Sequence, residues 1–230
     1  MCHPPDNLND ALAEQGIRLR EDQVHQLDRY CRLLWDWNTR VNLTRHTDYR
    51  RFVTRDVVDT LVFADHLEPG ERILDVGTGG GVPGVVLAII RPDLDISLSE
   101  SVGKRARAVA DIVRQLGLRA PVHEARAESL LQRLEFNTLV ARAVARLPRL
   151  LRWLRPHWDR FDRLLLLKGP AWVKERGEAR HHGLLRHLAL RRLASYPMPG
   201  DGGQSVLLQI CPKERMLDDK RCRMRQWPAR

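Results

Sequence analysis

The run ILDVGTGGGVPG, Ile73 to Gly84, sets an acid, Asp75, just ahead of five glycines in eight residues. Glycine loses more conformational freedom on ordering than any other residue. Such a cluster therefore marks a loop whose backbone must come close to something. Two ligands compete for it. A dinucleotide asks for G-x-G-x-x-G with its pyrophosphate on a helix N-terminus. Gly79, Gly81 and Gly84 match those letters, but counting from Gly77, the first loop residue, the third glycine position is Val82. The other frame is apolar-apolar-acid-x-G-x-G-x-G, from Ile73 to Gly81, with Gly77 and Gly79 nearest the ligand. It suits S-adenosylmethionine, which carries no phosphate and whose cationic sulfonium and ammonium groups favour a nearby acid such as Asp75.

Further along, Glu100 stands 23 positions after Gly77, at the end of a second apolar run. A carboxylate there accepts both hydroxyls of a ribose in either cofactor. Glu128 follows a third run, where a carboxylate takes a hydrogen bond from an adenine amino group. Arg142 closes a fourth run and is expected at a cleft mouth, holding cofactor, base edge or phosphate. Lys168 closes a fifth and is expected to meet a phosphate. Arg146, Arg149, Arg152 and Arg155 follow Arg142, expected in one helix whose spacing spreads them over more than one face. Arg55 and Asp59 are placed to form an ion pair. No Asn/Asp-Pro-Pro-aromatic element and no Pro-Cys pair follows the fourth run, so there is neither an exocyclic-amine motif nor a cysteine nucleophile at that place.

These residues need a scaffold that brings the ends of successive strands together. After the turn EPGE at Glu68–Glu71 the chain alternates between short apolar strands and amphipathic helices. Strands are expected at RILDV, DISLSE, APVHEA, NTLVAR, DRLLLLKG, LALRRLASYPM and SVLLQICP. Alternation of this kind implies α/β architecture, a doubly wound, mostly parallel sheet with right-handed crossovers. The two late strands form an antiparallel edge. A helix is expected from about Trp172 to Leu188. Upstream, Val24, Leu27, Cys31, Leu34 and Val41 repeat at helical spacing, and Phe52, Val57, Leu61 and Ala64 predict a second helix over YRRFVTRDVVDTLVFADHL. The chain is thus read as an N-terminal helical extension, 1–68, a main domain, 69–212, and a basic, flexible tail, 213–230.

The chain has 230 residues, 39 Lys and Arg against 29 Asp and Glu, and a net charge of +10. That excess favours a polyanion, nucleic acid first. No stretch approaches the roughly 20 apolar residues of a membrane span, and no basic start leads into an apolar run as in a secretory signal. Four scattered cysteines and nine histidines show no metal-ligand spacing. A cytoplasmic protein with no membrane contact and no metal is expected.

Taken in order, GERILDVGTGGGVPG, ESVGKR, ARAES, VARAVA and LLLKG, with LLWDWNTRVNLT upstream, resemble the small-subunit ribosomal RNA methyltransferase G family, also called glucose-inhibited division protein B. The likeness runs from about Leu19 to Ile210. It implies a Rossmann-like methyltransferase domain that uses S-adenosylmethionine to methylate guanine N7 in small-subunit (16S) rRNA, free or in an assembling subunit. It places cofactor contacts on Gly77, Val82, Ala127, Glu128 and Arg142; from their own positions in the chain, Arg55, Arg146 and Lys168 are the residues expected to meet the RNA. The chain departs from the family where Arg-His-x-x-Asp-Ser becomes Arg55, Asp56, Val57, Val58, Asp59, Thr60, where aspartate becomes Glu100, and where Gly203, Gln204 and Ser205 replace Glu-Arg-His. Those departures keep two alternatives open: a methyltransferase acting on another substrate, and a non-catalytic RNA-binding protein of the same fold.

Overall fold

A computed structural model describes residues 7–197 and 203–217. Seven strands form one sheet in the order β3-β2-β1-β4-β5-β7-β6. They are β1 Arg72–Val76, β2 Asp95–Glu100, β3 Val122–Glu124, β4 Phe136–Arg142, β5 Phe161–Lys168, β6 Leu188–Pro197 and β7 Gln204–Pro212. The first five pair in parallel, and β7 runs antiparallel to both β5 and β6. The register sets Val76 beside Ser99 and Ala141, Glu100 beside Glu124, and Arg142 beside Leu167. The carboxyl ends of the parallel strands therefore open on one edge, where ligands bind in sheets of this kind.

Helices α5 Gly84–Ile90 and α6 Gly103–Leu116 cover one face, and α7 Ala127–Leu131, α8 Leu147–Leu154 and α9 Trp172–His181 cover the other. The N-terminal part adds α1 Leu8–Glu14, α2 Glu21–Asn38, α3 Tyr49–Arg51 and α4 Val58–Ala64 to the α5/α6 side, inside the same apolar cluster. The inner stripe of α2, Gln23, Leu27, Tyr30, Cys31 and Leu34, has helical period. Gln23 caps the end of α5 through the Ile90 carbonyl at 2.9 Å, and the Trp37 indole donates to Asp111 of α6, also at 2.9 Å. Val41, expected on this stripe, lies past the helix end and is buried there.

Three elements differ from their predicted form. Between α3 and α4 the helix widens into a π-segment, Phe52–Val57. Phe52, Val57 and Ala64 are buried as expected, Leu61 packs half-buried against the same core, and Val62 and Phe63 are buried in addition. Helix α9 stops at His181, not near Leu188, because Gly183 takes a left-handed turn at φ 66°. At the other end of the chain, Lys213–Leu217 forms α10, with Arg215 bonded to Asp162 and to the Phe161 carbonyl. The rest of the predicted tail, 218–230, lies outside the described residues. Among the described residues no helix is long and apolar enough to cross a membrane.

Candidate active site

The glycine loop leaves β1 and turns back under itself. Gly77, Gly79 and Gly81 all have left-handed backbones, at φ 65°, 61° and 107°. Asp75 holds the turn from below. Its Oδ2 accepts from the Thr78 hydroxyl at 2.6 Å and from the Gly84 amide at 2.9 Å. The side chain is buried and Oδ1 has no partner, so desolvation pushes the carboxyl up to about 6. A Cβ on Gly84 would stand 2.7 Å from that Oδ2 and 2.5 Å from Leu98, so only glycine lets α5 start against this acid. Asp75 was expected to face a cofactor cation; it does not line the cavity, and its charge is spent on the loop. That position also decides between the two ligands. A carboxylate already occupies the α5 N-terminus, where a dinucleotide would put its pyrophosphate.

Above the loop lies a cavity of about 530 Å³. Gly77, Gly79, Val82, Glu100, Ala127, Glu128 and Arg142 all line it. Glu100 is buried and points its carboxylate at the loop, accepting from the Gly79 amide at 3.1 Å and the Val102 amide at 2.8 Å. Ala127 and Glu128 open α7, so the third strand's end supplies one small and one acidic residue to the wall. The N-terminal extension closes the remaining side with Leu34, Leu43 and Thr44, which the sequence reading did not place here. Asn38 shapes that segment, its Oδ1 accepting from the Leu43 and Thr44 amides at 2.8 and 2.9 Å, and the Tyr30 hydroxyl donates to the Gly80 carbonyl at 2.9 Å. Asn38, Asn42, Leu43 and Thr44 belong to the quoted WNTRVNLT run, which was the signal available for this contact.

A second cavity, about 660 Å³, adjoins the first and shares Leu43, Thr44, Asp56, Arg105, Arg142 and Ala143 with it. Arg142 stands between the two. Its guanidinium donates to Asp56 at 2.6 Å and to Asp59 at 2.9 Å. His46 approaches the other oxygen of Asp56 at 2.9 Å, and the Tyr196 hydroxyl donates to the other oxygen of Asp59 at 2.5 Å. Burial would raise the Asp56 carboxyl, but His46 and Arg142 outweigh it and hold it below the ordinary value. For Asp59 burial prevails and the carboxyl is raised, against the pull of Arg142 and Tyr196. The same burial, reinforced by Asp59, raises the Tyr196 phenol strongly. Ala143, next in the chain, is the sole non-glycine residue with positive φ among those described, at 55°. Backbone of this kind persists where the surroundings over-determine it.

The pairing predicted between Arg55 and Asp59 is thus replaced: Asp59 takes Arg142, and Arg55 is left exposed on the lining of the second cavity with no carboxylate partner among the described residues. Lys168 also lines this cavity, but its ammonium is engaged by Glu175 at 2.7 Å and the Ala145 carbonyl at 3.1 Å, so it braces the 143–147 loop instead of offering a free charge to phosphate. Arg146 lies outside both cavities and pairs with Glu178. Of the four arginines expected in one helix, Arg149 and Arg152 are in α8, Arg146 caps its start and Arg155 opens the 3-10 turn Arg155–His157.

Sheet order, glycine loop and strand-end cavity together define a Rossmann-like fold of the S-adenosylmethionine-dependent methyltransferase type. Solved structures agree on that fold. A mutant of MtNAS in complex with S-adenosylmethionine superposes with a TM-score of 0.53 at 17% identity, over 90% of this chain and 84% of that one. TrmK of M. capricolum, bound to S-adenosyl-homocysteine, gives 0.53 at 12% identity over 67% and 68%. The sequence is more specific. The profile of the family described as GidB, rRNA small subunit methyltransferase G, matches residues 23–193. The ribosomal RNA small subunit methyltransferase G of Rhodopirellula baltica is 52% identical over 188 residues, 82% of this chain and 81% of that protein. Its namesake from Yersinia pestis is 40% identical over 148 residues, 64% of this chain and 71% of that protein. The chain belongs to the small-subunit rRNA methyltransferase G family and is an rRNA methyltransferase.

Proposed function

We propose that the protein moves the methyl group of S-adenosylmethionine to guanine N7 in small-subunit rRNA, and that the two adjoining cavities hold donor and base respectively. The observation that carries this reading is their junction at Arg142 and Ala143. The first cavity fits the donor: its loop backbone is open and left-handed, its helix N-terminus is closed to phosphate by Asp75, and acids stand at the end of β2 and in the first turn of α7. When bound, this cofactor supplies an electrophilic methyl carbon on a cationic sulfur. Glu100 accepts the ribose hydroxyls with lone pairs left over from its two backbone contacts. Ala127 and Glu128 hold the adenine edge, and Val82 and Gly79 pack beneath it.

Guanine N7 carries a lone pair and no proton, so its methylation is an in-line displacement without a general base. Positioning then does most of the work, contributing up to about 7–11 kcal/mol when reacting groups are held in near-attack geometry. The carboxylates near the junction are consistent with that economy: Asp56 and Asp59 are bound to Arg142 and fix its guanidinium in place. Arg55 and Arg45, both exposed on this wall with no carboxylate partner among the described residues, and the part-buried Arg105 beside them are the cations left for RNA. In this reading residues 1–68 form the extension that closes the cavities, 69–212 the catalytic domain and 213–230 an appended basic tail. The partner is the rRNA, or the assembling subunit that contains it, in the cytoplasm.

The test is chemical. Unmodified small-subunit rRNA treated with enzyme and cofactor should, after reduction and aniline cleavage, show one new strand break, because N7-methylguanosine has a labile glycosidic bond. Methyl transfer confined to a base carbon, an exocyclic amine or a ribose hydroxyl would refute the reading and direct attention to Asp56 and the Gly203–Ser205 segment.

A further inference from the structure

A groove of about 520 Å³ runs between α8 and α9, lined by Val144, Arg146, Arg149, Arg152, Glu178 and His182 among others. It begins where the donor cavity ends, since Arg149 lines both. At that shared edge the Arg149 guanidinium lies 4.9 Å over the ring of Trp153, itself part of the donor cavity wall. The acids nearby are already used: Arg146 occupies both oxygens of Glu178, at 2.6 and 2.7 Å, and Lys168 occupies Glu175. Arg149, Arg152 and Arg155 remain exposed, and none pairs with a carboxylate among the described residues. Arg149 and Arg152 line the groove about 4.5 Å of helical rise apart, and Arg155, the first residue of the 3-10 turn, continues the row just past its lining. Leu147, Leu150, Leu151 and Leu154 on the opposite face are buried, which fixes the arginines outward.

We propose that this groove is a second RNA subsite, which seats a single-stranded flank of the substrate beside the methylated base. The inference rests on the rRNA reading above and adds to it where the strand runs. An arginine stacked on an indole offers a planar surface to a neighbouring base, and successive unpaired guanidiniums track a phosphate backbone. Arginine suits that contact because its charge does not titrate and its fork matches phosphate oxygens. The groove meets the donor cavity at Val144 and Arg149, and Val144 follows Ala143, where donor and base cavities join, so a strand whose target base sits at that junction has its flank beside the groove.

The test uses the full-length protein with Arg152→Gln and Arg155→Gln combined. Both residues lie outside the two cavities. Binding of a labelled rRNA fragment is followed by anisotropy across a salt series. Losing two single-strand phosphate contacts lowers the log–log salt slope by about 1.4, which at 0.15 M salt corresponds to roughly tenfold weaker binding. The KM for RNA should rise accordingly, with kcat and S-adenosylhomocysteine affinity unchanged, and the Arg152→Lys/Arg155→Lys protein should keep most of the slope. A slope and KM equal to wild type overturn the subsite, including the case where the variant instead loses an acidic protein partner. If wild-type protein binds the rRNA but transfers no methyl group to it, the proposed activity fails while the slope still decides the subsite. If it does not bind the RNA at all, both fail.

Discussion

Replacing Arg142 by alanine leaves Asp56 and Asp59 without the cation that lies between them. The two side chains are 3% and 13% exposed, and the arginine 22%. Breaking a buried ion pair by removing one partner typically costs about 3–5 kcal/mol, because the other charge is stranded. Asp56 keeps His46 and Asp59 keeps Tyr196, which places the expected loss toward the lower end, about 3 kcal/mol. In a chain of this size each kcal/mol lowers the melting temperature by about 2–4 °C, so a drop on the order of 6–12 °C should appear in a thermal scan at pH 7. The pH dependence carries the sign. Without Arg142 the Asp59 carboxyl rises further above its unfolded value and Asp56 loses a cation that holds it below, so the penalty is fully present where both are ionised and shrinks as acid protonates them. Converting Asp59 to asparagine in the same protein should return part of the lost stability by removing one stranded charge. A melting temperature within about 2 °C of wild type, flat across pH 5 to 8, would refute the assignment of Arg142 as the centre of a buried charge cluster.

Two more outcomes follow from the acids on and beneath the donor cavity. Glu100→Ala removes an acceptor from both the Gly79 amide and the expected ribose, and should weaken S-adenosylhomocysteine binding ten- to a hundredfold by calorimetry, corresponding to about 1.5–3 kcal/mol. An affinity within about twofold would make it a bystander. Asp75→Asn should flatten the pH dependence of stability between about 4 and 6: the wild-type carboxyl, raised to about 6 by burial, penalises folding above that pH and ceases to do so as pH falls to the unfolded value near 4. Chemical denaturation at pH 4.5 and 7 compares the two proteins, and parallel curves would contradict the burial argument.

What could be read from the sequence was what local rules decide. Strand ends carry Glu100, Arg142 and Lys168 because alternation places them there, and the left-handed loop is announced by its glycines. Direction below the backbone is harder. Asp75 sits two residues before the loop whichever way it points, and only the packing of α5 against Leu98 shows that it points inward. Long-range pairing was likewise out of reach: the partners of Arg142 lie 83 and 86 residues away, and the hydroxyl on Asp59 comes from 137 residues away. The pairing imagined between Arg55 and Asp59 assumed a regular α-helix, whereas the π-segment changes which residues share a face. Lys168 reads as a free strand-end charge until Glu175, on the next helix, is seen folded over it.

The hydrogen bond from Tyr30 to the Gly80 carbonyl ties the fate of α2 to that of the glycine loop. Leu43, whose carbonyl stands where a side chain on Gly80 would go, adds a steric stop from the same segment. A ligand that favours this loop conformation would also favour these contacts, so part of its binding free energy would stabilise the helices that precede the sheet. Amide exchange in α2 and nicking by protease around residues 40–48 become reporters of a cavity they do not themselves form in full. By reciprocity, any partner that bound and stabilised the extension would raise the loop's affinity for its ligand without touching it.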